Sequence, residues 1–401
     1  MIVTPKVWHF VCTTAHPLGC EQNIKDQIDT ISVKGTHDNG PKRVLIIGAS
    51  TGYGLAARIA AAFGFGAATL GVFFEKPSRK TRVASAGWYN SAAFEKLSQK
   101  AGLWSRSING DAFSNDARNC VIDLIKHEMD GPIDLVIYSL ASPVRCLPDS
   151  GMIIRSSLKP IGSPYHGKTI DTDCDELIDI DIAPATQQEI NDTIRVMGGE
   201  DWKIWVEALH QANVLAKQAV NIAFSYIGAE MTWPIYWNGT IGRAKQHLEE
   251  TAAELRTQFL TYGLRTHVAV MKSTITQASA AIPVMPLYLS LVSQIMKKKQ
   301  LHESMIEQQY RLFHEFLYRK DQQLPATDTK SRIRLDLHEL REDVQRDCKA
   351  LLTRVTNQNL AEVTDYLTYK REFLQLFGFE RQNLDYHADV DINTQFNCLV
   401  L

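Results

Sequence analysis

A tyrosine and a lysine lie nine positions apart in the segment YWNGTIGRAK, as Tyr236 and Lys245. A phenol has an ordinary pKa of about 10, so it can donate a proton to an enolate, and a nearby ammonium group stabilises the phenolate that forms. A lysine can also hydrogen-bond the hydroxyls of a nicotinamide ribose. Gly239 and Gly242 lie between the two residues and allow the chain to bend. We therefore expect Tyr236 to precede a helix that carries Lys245. The pair by itself shows nothing, and it indicates reductase chemistry only where it follows a cofactor-binding half.

A glycine-rich turn, GASTGYG, follows a short apolar run and precedes an apolar helical segment. Glycine permits a tight turn and lets backbone N–H groups approach a pyrophosphate, which the N-terminus of the helix also attracts. A glycine-rich turn alone is weak evidence, but the strand before it and the helix after it strengthen the case. The sequence therefore predicts a dinucleotide-binding turn formed by Gly48, Ala49, Ser50, Thr51, Gly52 and Tyr53.

The second apolar run ends in Phe74 and Glu75, where such a fold places the residue that reads the adenosine ribose. A carboxylate there accepts hydrogen bonds from the ribose hydroxyls and repels a 2′-phosphate, which favours NADH over NADPH. Lys76 and Arg79 weaken this inference, and the alternative is a solvated glutamate at a strand end. Two later segments are further candidate cofactor contacts, with ordinary loop as the alternative: Asp111 and Ala112 for the adenine, and Leu140 and Ala141, after the apolar run at 133–138, for the ribose.

Short apolar runs at 43–48, 67–74, 133–138 and 265–271 predict strands buried on both faces of a parallel sheet. Helical patterns separate these runs. Strands that alternate with helices form right-handed βαβ units, so the sequence predicts an α/β fold with a doubly wound parallel sheet.

Two apolar stripes with helical spacing lie between the last two runs. The first extends from Trp205 to Ile227 and predicts one helix, and the second extends from Ile241 to Phe259 and predicts a helix that stops at Gly263.

Two regions depart from the alternation of strands and helices. Residues 145–185 are rich in β-branched residues and turn formers, which predicts a hairpin inserted beside the sheet, and 284–401 is predicted to be a helical C-terminal extension. The sequence contains no long linker and no internal repeat. We therefore expect a single enlarged domain, 1–401, with its dinucleotide-binding and catalytic core at 43–283.

Composition excludes several classes of function. The formal net charge is −2 and no long basic run occurs, which argues against a nucleic-acid partner. The seven cysteines are scattered without CxxC spacing, so neither a disulfide framework nor a metal site is indicated, and a reducing cytoplasm is favoured. No run of eighteen apolar residues occurs, which predicts a soluble chain. The tail Cys398–Leu401 fits a prenylation pattern, but no polybasic segment precedes it, so we expect no stable membrane association.

The GxxxGxG spacing resembles that of the short-chain dehydrogenase/reductase superfamily, with an extended Rossmann fold. Over its whole length the chain resembles the bacterial trans-2-enoyl-CoA and enoyl-[acyl-carrier-protein] reductase family. The resemblance is carried, in order, by HFVCTTAHPLGCEQN, GASTGYG, SLASPVR, YWNGTIGRAK and TITQASAAIPVMPLY. Several long motifs in order are far more specific than any one of them.

The resemblance implies a monomeric enzyme of fatty acid biosynthesis that reduces the 2,3 double bond of an enoyl thioester with NADH. It implies that Tyr236 is the proton donor, that Lys245 binds the cofactor ribose, and that Tyr226 contacts the thioester carbonyl. Thr274, Ile275 and Thr276 would then line the nicotinamide, although family members often carry a more apolar residue in place of Thr274. The common short-chain enzymes use a Tyr-x3-Lys pair instead of the Tyr-x8-Lys pair found here.

Other functions stay open at this stage. A carbonyl reductase or alcohol dehydrogenase would need a hydroxyl on the segment before Tyr236, where residues 231–235 offer only Thr232. A non-catalytic NAD sensor would not need the pair of Tyr236 and Lys245. The sequence does not choose between coenzyme A and acyl carrier protein as the carrier of the substrate.

Overall fold

The computed structural model describes residues 1–35, 37, 39–321 and 323–401. Its strands, numbered in chain order, are β1 (Val7–Trp8), β2 (Val11–Cys12), β3 (Arg43–Ile47), β4 (Ala68–Phe73), β5 (Ser105–Asn109), β6 (Ile133–Tyr138), β7 (Val144–Cys146), β8 (Ile153–Arg155), β9 (Tyr165–Asp171), β10 (Glu176–Ile182), β11 (Leu215–Ser225), β12 (Arg265–Val270), β13 (Arg332–Arg334) and β14 (Cys398–Val400).

The α-helices are α1 (Pro17–Ser32), α2 (Gly52–Ile59), α3 (Ala86–Lys100), α4 (Asn115–Glu128), α5 (Gln187–Met197), α6 (Glu200–Gln211), α7 (Thr240–Gln258), α8 (Gln277–Ala280), α9 (Met285–Lys298), α10 (Met305–Arg311), α11 (Glu342–Leu352), α12 (Leu360–Val363) and α13 (Tyr366–Gln375). Single π-helical segments continue α2 and α10, and a 3-10 helix lies between β11 and α7; they span Ala60–Gly64, Leu312–Leu317 and Glu230–Thr232.

Eight strands form one central sheet in the order β13-β12-β11-β6-β3-β4-β5-β14, and every neighbouring pair in it is parallel. The chain runs outward from β3 to β5 and then crosses back to β6, on the other side of β3. This order is that of a doubly wound sheet, whose crevice lies where the two directions diverge. The predicted α/β fold class is confirmed.

Both faces of the sheet are covered by helices because successive strand residues point to opposite sides. Val44 and Ile46 of β3 pack with α1, α2 and α10, whereas Leu45 and Ile47 pack with α4, α6 and α7. A third apolar cluster lies beside the sheet and joins α9 to α11, α13 and the segment before α7. This cluster contains Tyr236.

The prediction of one helix from Trp205 to Ile227 is wrong. Helix α6 ends at Gln211, Asn213 has a φ of 57°, and β11 begins at Leu215. Asparagine is one of the few residues that adopt the left-handed region readily. Since β6 and β12 pair with β11 on both sides, most of the strand is buried, and its apolar residues also satisfy helical spacing. The second stripe is a helix, α7.

The inserted region contains two antiparallel hairpins where one was predicted. The first joins β7 to β8, and the second joins β9 to β10. The C-terminal segment 284–401 contains helices α9 to α13, but less than half of its residues are helical, and it also supplies β13 and β14, the two edge strands of the central sheet. Three-residue strands carry too short an apolar run to be recognised from sequence. The division at residue 284 stays a prediction.

Across the described part of the chain, no helix combines the length and the apolar character needed to cross a bilayer.

Candidate active site

The carboxyl edge of the central sheet brings the predicted site residues together. Parallel strands end at a common edge, so the loops that follow them are neighbours. In chain order these loops hold Gly48 to Tyr53 after β3, Phe74 and Glu75 after β4, Asp111 and Ala112 after β5, Leu140 and Ala141 after β6, Tyr226 after β11, and Thr274 to Thr276 after β12.

The glycine-rich turn is shaped by close backbone contacts. Gly48 has a φ of 92°, and a Cβ atom there would lie 2.5 Å from the carbonyl oxygen of Ser139 after β6. A Cβ atom on Gly54 would lie 1.9 Å from the carbonyl oxygen of Gly48. Gly52 has a φ of 57° and begins α2. Gly48 and Gly54 leave no room for a side chain, whereas Gly52 is favoured only by its positive φ. The turn brings the N-terminus of α2 to the crevice between β3 and β6, where it can hold a pyrophosphate.

Glu75 is held in place rather than solvated at a strand end. Its carboxylate accepts a hydrogen bond from the Ser50 hydroxyl at 2.7 Å, so it lies beside the glycine-rich turn. Its backbone N–H donates to the Asn109 side chain at 2.6 Å, and the Asn109 amide donates back to the Glu75 carbonyl at 2.9 Å. Burial raises the pKa of Glu75. Phe74, by contrast, is 77% exposed. Sequence reasoning missed Asn109, which carries no local motif.

Hydrogen bonds within the loop after β5, and from α4 and α6, hold this loop in place. The Asp111 carboxylate accepts a hydrogen bond from the Phe113 backbone N–H at 3.0 Å, and the Trp205 indole donates to the Ala112 carbonyl at 3.0 Å. Arg118 donates to the Phe113 carbonyl, also at 3.0 Å. This loop therefore has a defined shape where adenine was predicted.

The loop after β6 begins beside Gly48. Leu140 is partly buried against the core, and Ala141 is exposed.

Tyr236 and Lys245 both lie near the end of β11, Tyr236 against the Tyr226 ring and Lys245 at the Phe224 carbonyl. The backbone N–H of Gly242 donates to the Tyr236 carbonyl at 3.1 Å, and a Cβ atom on Gly242 would lie 1.8 Å from the Trp237 carbonyl oxygen. The chain thus turns tightly into α7, which accounts for eight residues between the pair. The Lys245 ammonium donates to the Phe224 carbonyl of β11 at 3.4 Å, and burial lowers the pKa of Lys245 to about 8.

Two tyrosine rings lie edge to face at this point. The ring centroids of Tyr226 and Tyr236 are 5.0 Å apart with an interplanar angle of 71°. Tyr236 is only 3% exposed, and burial raises the pKa of both phenols. No residue in the described ranges hydrogen-bonds the Tyr236 hydroxyl. The Tyr226 hydroxyl, in contrast, donates to the Glu339 carboxylate at 3.0 Å.

Glu339 is a buried carboxylate that the sequence analysis did not identify. It lies between β13 and α11 with no exposed surface. It also accepts hydrogen bonds at 2.6 Å from the Tyr288 hydroxyl of α9 and at 2.6 Å from the Ser273 backbone N–H. Glu339 therefore links Tyr226 to the loop after β12. Its position more than a hundred residues from Tyr226 leaves no local sequence signal.

The loop after β12 contacts the glycine-rich turn. Thr276 caps α8, and its methyl group lies 3.7 Å from the Cβ position of Gly52. The Ser279 hydroxyl donates to the Thr274 carbonyl at 2.8 Å, and Ile275 is buried. The Tyr53 hydroxyl donates to the Lys272 carbonyl at the start of this loop. Tyr53 therefore joins the two loops across the crevice.

Thr232 does not offer a free hydroxyl to a substrate. Its side chain is buried and donates to the Ala229 carbonyl at 2.8 Å. A carbonyl reductase mechanism would need that hydroxyl beside Tyr236, so the geometry disfavours this alternative.

Three family models match consecutive parts of the chain. The NAD(P)H binding domain of trans-2-enoyl-CoA reductase matches residues 2–80, the trans-2-enoyl-CoA reductase catalytic region matches 82–318, and an enoyl reductase FAD binding domain matches 327–390. Curated enoyl-[acyl-carrier-protein] reductases [NADH] from Xanthomonas campestris and Pseudomonas putida W619 are 59% and 57% identical to it, with 100% of both chains covered in each comparison.

Two solved structures match almost the whole chain. The trans-2-enoyl-CoA reductase of Treponema denticola in complex with NAD is 44% identical, with a TM-score of 0.95 and coverage of 99% of this chain and 100% of that one. The Clostridium acetobutulicum enzyme in complex with NADH is 41% identical, with a TM-score of 0.94 and coverage of 98% of each chain.

The residues of 327–390 do not fit a flavin. A flavin diphosphate needs a turn with free N–H groups, as in a glycine-rich strand-to-helix connection. The single glycine of this segment is Gly378, and a Cβ atom there would lie 2.5 Å from the His16 carbonyl oxygen. The connection from β13 to α11 instead carries Glu339, which is fully engaged in hydrogen bonds. No step of the reaction is therefore assigned to a flavin.

Proposed function

Because the chain belongs to the trans-2-enoyl-CoA reductase family and is an NADH-dependent reductase of trans-2-enoyl thioesters, we propose that Tyr236, Tyr226 and Lys245 carry out its reaction. The observation that supports this assignment best is that the Tyr236 side chain is only 3% exposed while its hydroxyl has no hydrogen-bond partner in the described ranges. Its proton is free to meet a substrate.

NADH, when bound, supplies the hydride that adds to the β-carbon of the enoyl thioester. Negative charge then develops on the thioester oxygen. Tyr236 donates a hydrogen bond to that oxygen and supplies the proton that the enolate takes up at its α-carbon, which completes the reduction. Tyr226 lies edge to face against Tyr236 and contacts the same oxygen. The buried site excludes water, so each hydrogen bond to the developing charge is stronger than it would be in solution.

Lys245 binds the nicotinamide ribose and stabilises a phenolate at Tyr236. It lies on the second turn of α7 and reaches the end of β11, the level at which Tyr236 turns into the helix. Its lowered pKa of about 8 leaves most of the ammonium charged at neutral pH. Thr274, Ile275 and Thr276 line the nicotinamide, since their loop contacts the glycine-rich turn.

The glycine-rich turn and the strand ends bind the rest of the cofactor. The N-terminus of α2 holds the pyrophosphate, and Glu75 accepts hydrogen bonds from the adenosine ribose. Asp111 and Ala112 contact the adenine, and Leu140 and Ala141 contact the ribose. Glu75 also favours NADH over NADPH.

We further propose that the acyl chain lies against α9, because α9 and Tyr236 belong to one apolar cluster. The relatives named as enoyl-[acyl-carrier-protein] reductases support acyl carrier protein as the carrier, and the enzymes named as trans-2-enoyl-CoA reductases support coenzyme A. We propose that the enzyme acts in fatty acid biosynthesis as a cytoplasmic monomer.

The test is NADH oxidation with crotonyl and longer 2-enoyl thioesters on both carriers, with matched saturated thioesters as controls. We expect oxidation with the enoyl thioesters alone and a saturated thioester as the product. Rapid reduction of simple ketones, with no activity on any enoyl thioester, would contradict the proposed function.

A further inference from the structure

The Tyr226 hydroxyl has only one proton, and it donates this proton in a hydrogen bond to the Glu339 carboxylate. Tyr226 and Tyr288 both donate to Oε1 of Glu339, at 3.0 Å and 2.6 Å, and the Ser273 N–H donates to Oε2 at 2.6 Å. An ionised carboxylate only accepts hydrogen bonds. While Glu339 is ionised, Tyr226 therefore points its proton away from the site and shows a substrate only oxygen lone pairs. Lone pairs repel a developing oxyanion.

A protonated Glu339 reverses this hydrogen bond. Its O–H can donate to the Tyr226 oxygen while the same carboxyl group still accepts from Tyr288 and Ser273. The Tyr226 proton is then released towards the thioester oxygen. The protein thus contains one group whose protonation decides the direction in which Tyr226 donates.

We propose that Glu339 is a positioning residue of the reductase reaction, which in its neutral form turns the Tyr226 proton towards the substrate. This proposal rests on the proposed function, in which Tyr226 contacts the thioester oxygen. Glu339 itself does not reach the substrate, because its two oxygens are occupied by Tyr226, Tyr288 and Ser273.

The groups around Glu339 determine the pH at which it loses its proton. Burial raises the pKa of Glu339, and the hydrogen bonds from Tyr288 and Ser273 and the charge of Lys272 oppose that rise. Asp336, near the end of β13, adds to the rise. The titratable and charged groups that face Glu339 come from every element around it: Tyr53 on α2, Tyr226 after β11, Lys272 after β12, Tyr288 on α9, Asp336 after β13 and Cys348 on α11.

The sign of the pH effect follows directly. Activity needs the neutral form of Glu339, so kcat/KM for the enoyl thioester should fall as pH rises through the Glu339 pKa. Glu339→Gln places an amide nitrogen at the Oε1 position, and its two N–H groups can donate to Tyr226 and Tyr288 at every pH while its oxygen still accepts from Ser273. Tyr288→Phe removes a hydrogen bond that stabilises the ionised form, so the pKa of Glu339 should rise and the fall should move to higher pH.

The experiment measures kcat/KM for a crotonyl thioester at saturating NADH from about pH 5 to about pH 9 in three enzymes, a range that begins near the pKa of an exposed glutamate. The unchanged enzyme should lose activity on the alkaline side, Glu339→Gln should lack this loss, and Tyr288→Phe should show it at higher pH. Lys245 also loses its proton near pH 8. No hydrogen bond joins Lys245 to Tyr288 among the described residues, and burial alone lowers the pKa of Lys245, so a shift in Tyr288→Phe identifies Glu339.

Three results would overturn the proposal. The first is an alkaline loss of kcat/KM at the same pH in all three enzymes, and the second is a kcat/KM of the unchanged enzyme that does not vary with pH. The third is a Glu339→Gln enzyme that folds and binds NADH but is inactive at every pH. If Glu339→Gln does not fold, the shift in Tyr288→Phe decides alone. Tyr226→Phe separates the two levels of the argument. Near-normal turnover in Tyr226→Phe refutes the role of Tyr226 in the proposed function. If turnover in Tyr226→Phe is impaired but the pH dependence of kcat/KM is the same in the Glu339→Gln, Tyr288→Phe and unchanged enzymes, only the role of Glu339 is refuted.

Discussion

Replacing Glu75 with glutamine should relax the preference for NADH over NADPH. Glutamine keeps an oxygen that can accept the Ser50 hydrogen bond, which is 2.7 Å long, but it removes the negative charge. Two unit charges about 5 Å apart interact by about 3 kcal/mol at an effective dielectric constant of about 20. We therefore expect the ratio of kcat/KM for NADPH to that for NADH to rise about 10²-fold, since about 1.4 kcal/mol corresponds to a factor of ten.

The same reasoning predicts a pH dependence in the unchanged enzyme. Burial raises the pKa of Glu75, so its carboxylate takes up a proton at a higher pH than an exposed glutamate does. The relative use of NADPH should therefore rise as pH falls, whereas the Glu75→Gln enzyme should show no such rise. Steady-state rates with both cofactors, at a fixed saturating enoyl thioester concentration and across pH, provide the measurement.

Glu75→Ala is the matched control because it removes both the charge and the partner of Ser50. Equal relaxation in both variants assigns the preference to charge. Relaxation in Glu75→Ala alone, with an unchanged cofactor ratio in Glu75→Gln at every pH, would refute the electrostatic reasoning.

Three further predictions follow from the geometry. Gly54→Ala should weaken NADH binding at least about 10²-fold in a fluorescence titration, because its Cβ atom would lie 1.9 Å from the Gly48 carbonyl oxygen. Gly52→Ala meets nothing closer than 3.7 Å and should only lower the free energy of unfolding, by about 1–2 kcal/mol, because of its positive φ. Equal losses of NADH affinity in the two variants would contradict this prediction. Lys245→Met should weaken both NADH binding and turnover. The unchanged enzyme should lose NADH affinity above about pH 8, where Lys245 loses its charge, and Lys245→Met should not show this loss. The same pH dependence of NADH binding in both enzymes would exclude Lys245 as the group responsible. Deletion of Cys398–Leu401 removes β14, which pairs with β5, and should lower the free energy of unfolding by about 1–3 kcal/mol. The deletion should not move the protein between soluble and membrane fractions. Loss of membrane association on deletion would support prenylation instead.

The cofactor half of the site is readable from sequence because its signals are local. A glycine-rich turn between an apolar strand and a helix is one continuous segment, and the order of strands and helices fixes which strand ends are neighbours. Glu75 and Gly48 could therefore be placed at the crevice from the chain alone. The pairing of Tyr236 with Lys245 also depends on one short segment, in which Gly242 permits the turn.

Residues that act across the fold could not be found in this way. Glu339 reaches Tyr226 only because β13 joins the edge of the sheet, and Asn109 reaches Glu75 only because β4 and β5 pair. Such contacts depend on tertiary structure and leave no spacing in the sequence. The strand β11 was missed for a different reason: an almost continuously buried strand satisfies both helical and strand periodicity, so the pattern could not decide between them.

The central claim is that Tyr236 donates to the substrate, and Tyr236→Phe tests it most directly. This change removes one hydroxyl that has no hydrogen-bond partner in the described ranges, so folding and NADH affinity should be retained. Single-turnover reduction of a 2-enoyl thioester at saturating NADH should slow by a factor of about 10² to 10⁴, as expected for the loss of a positioned acid. Reduction at a near-normal rate would contradict the account and would make Tyr226 the leading candidate for the proton donor.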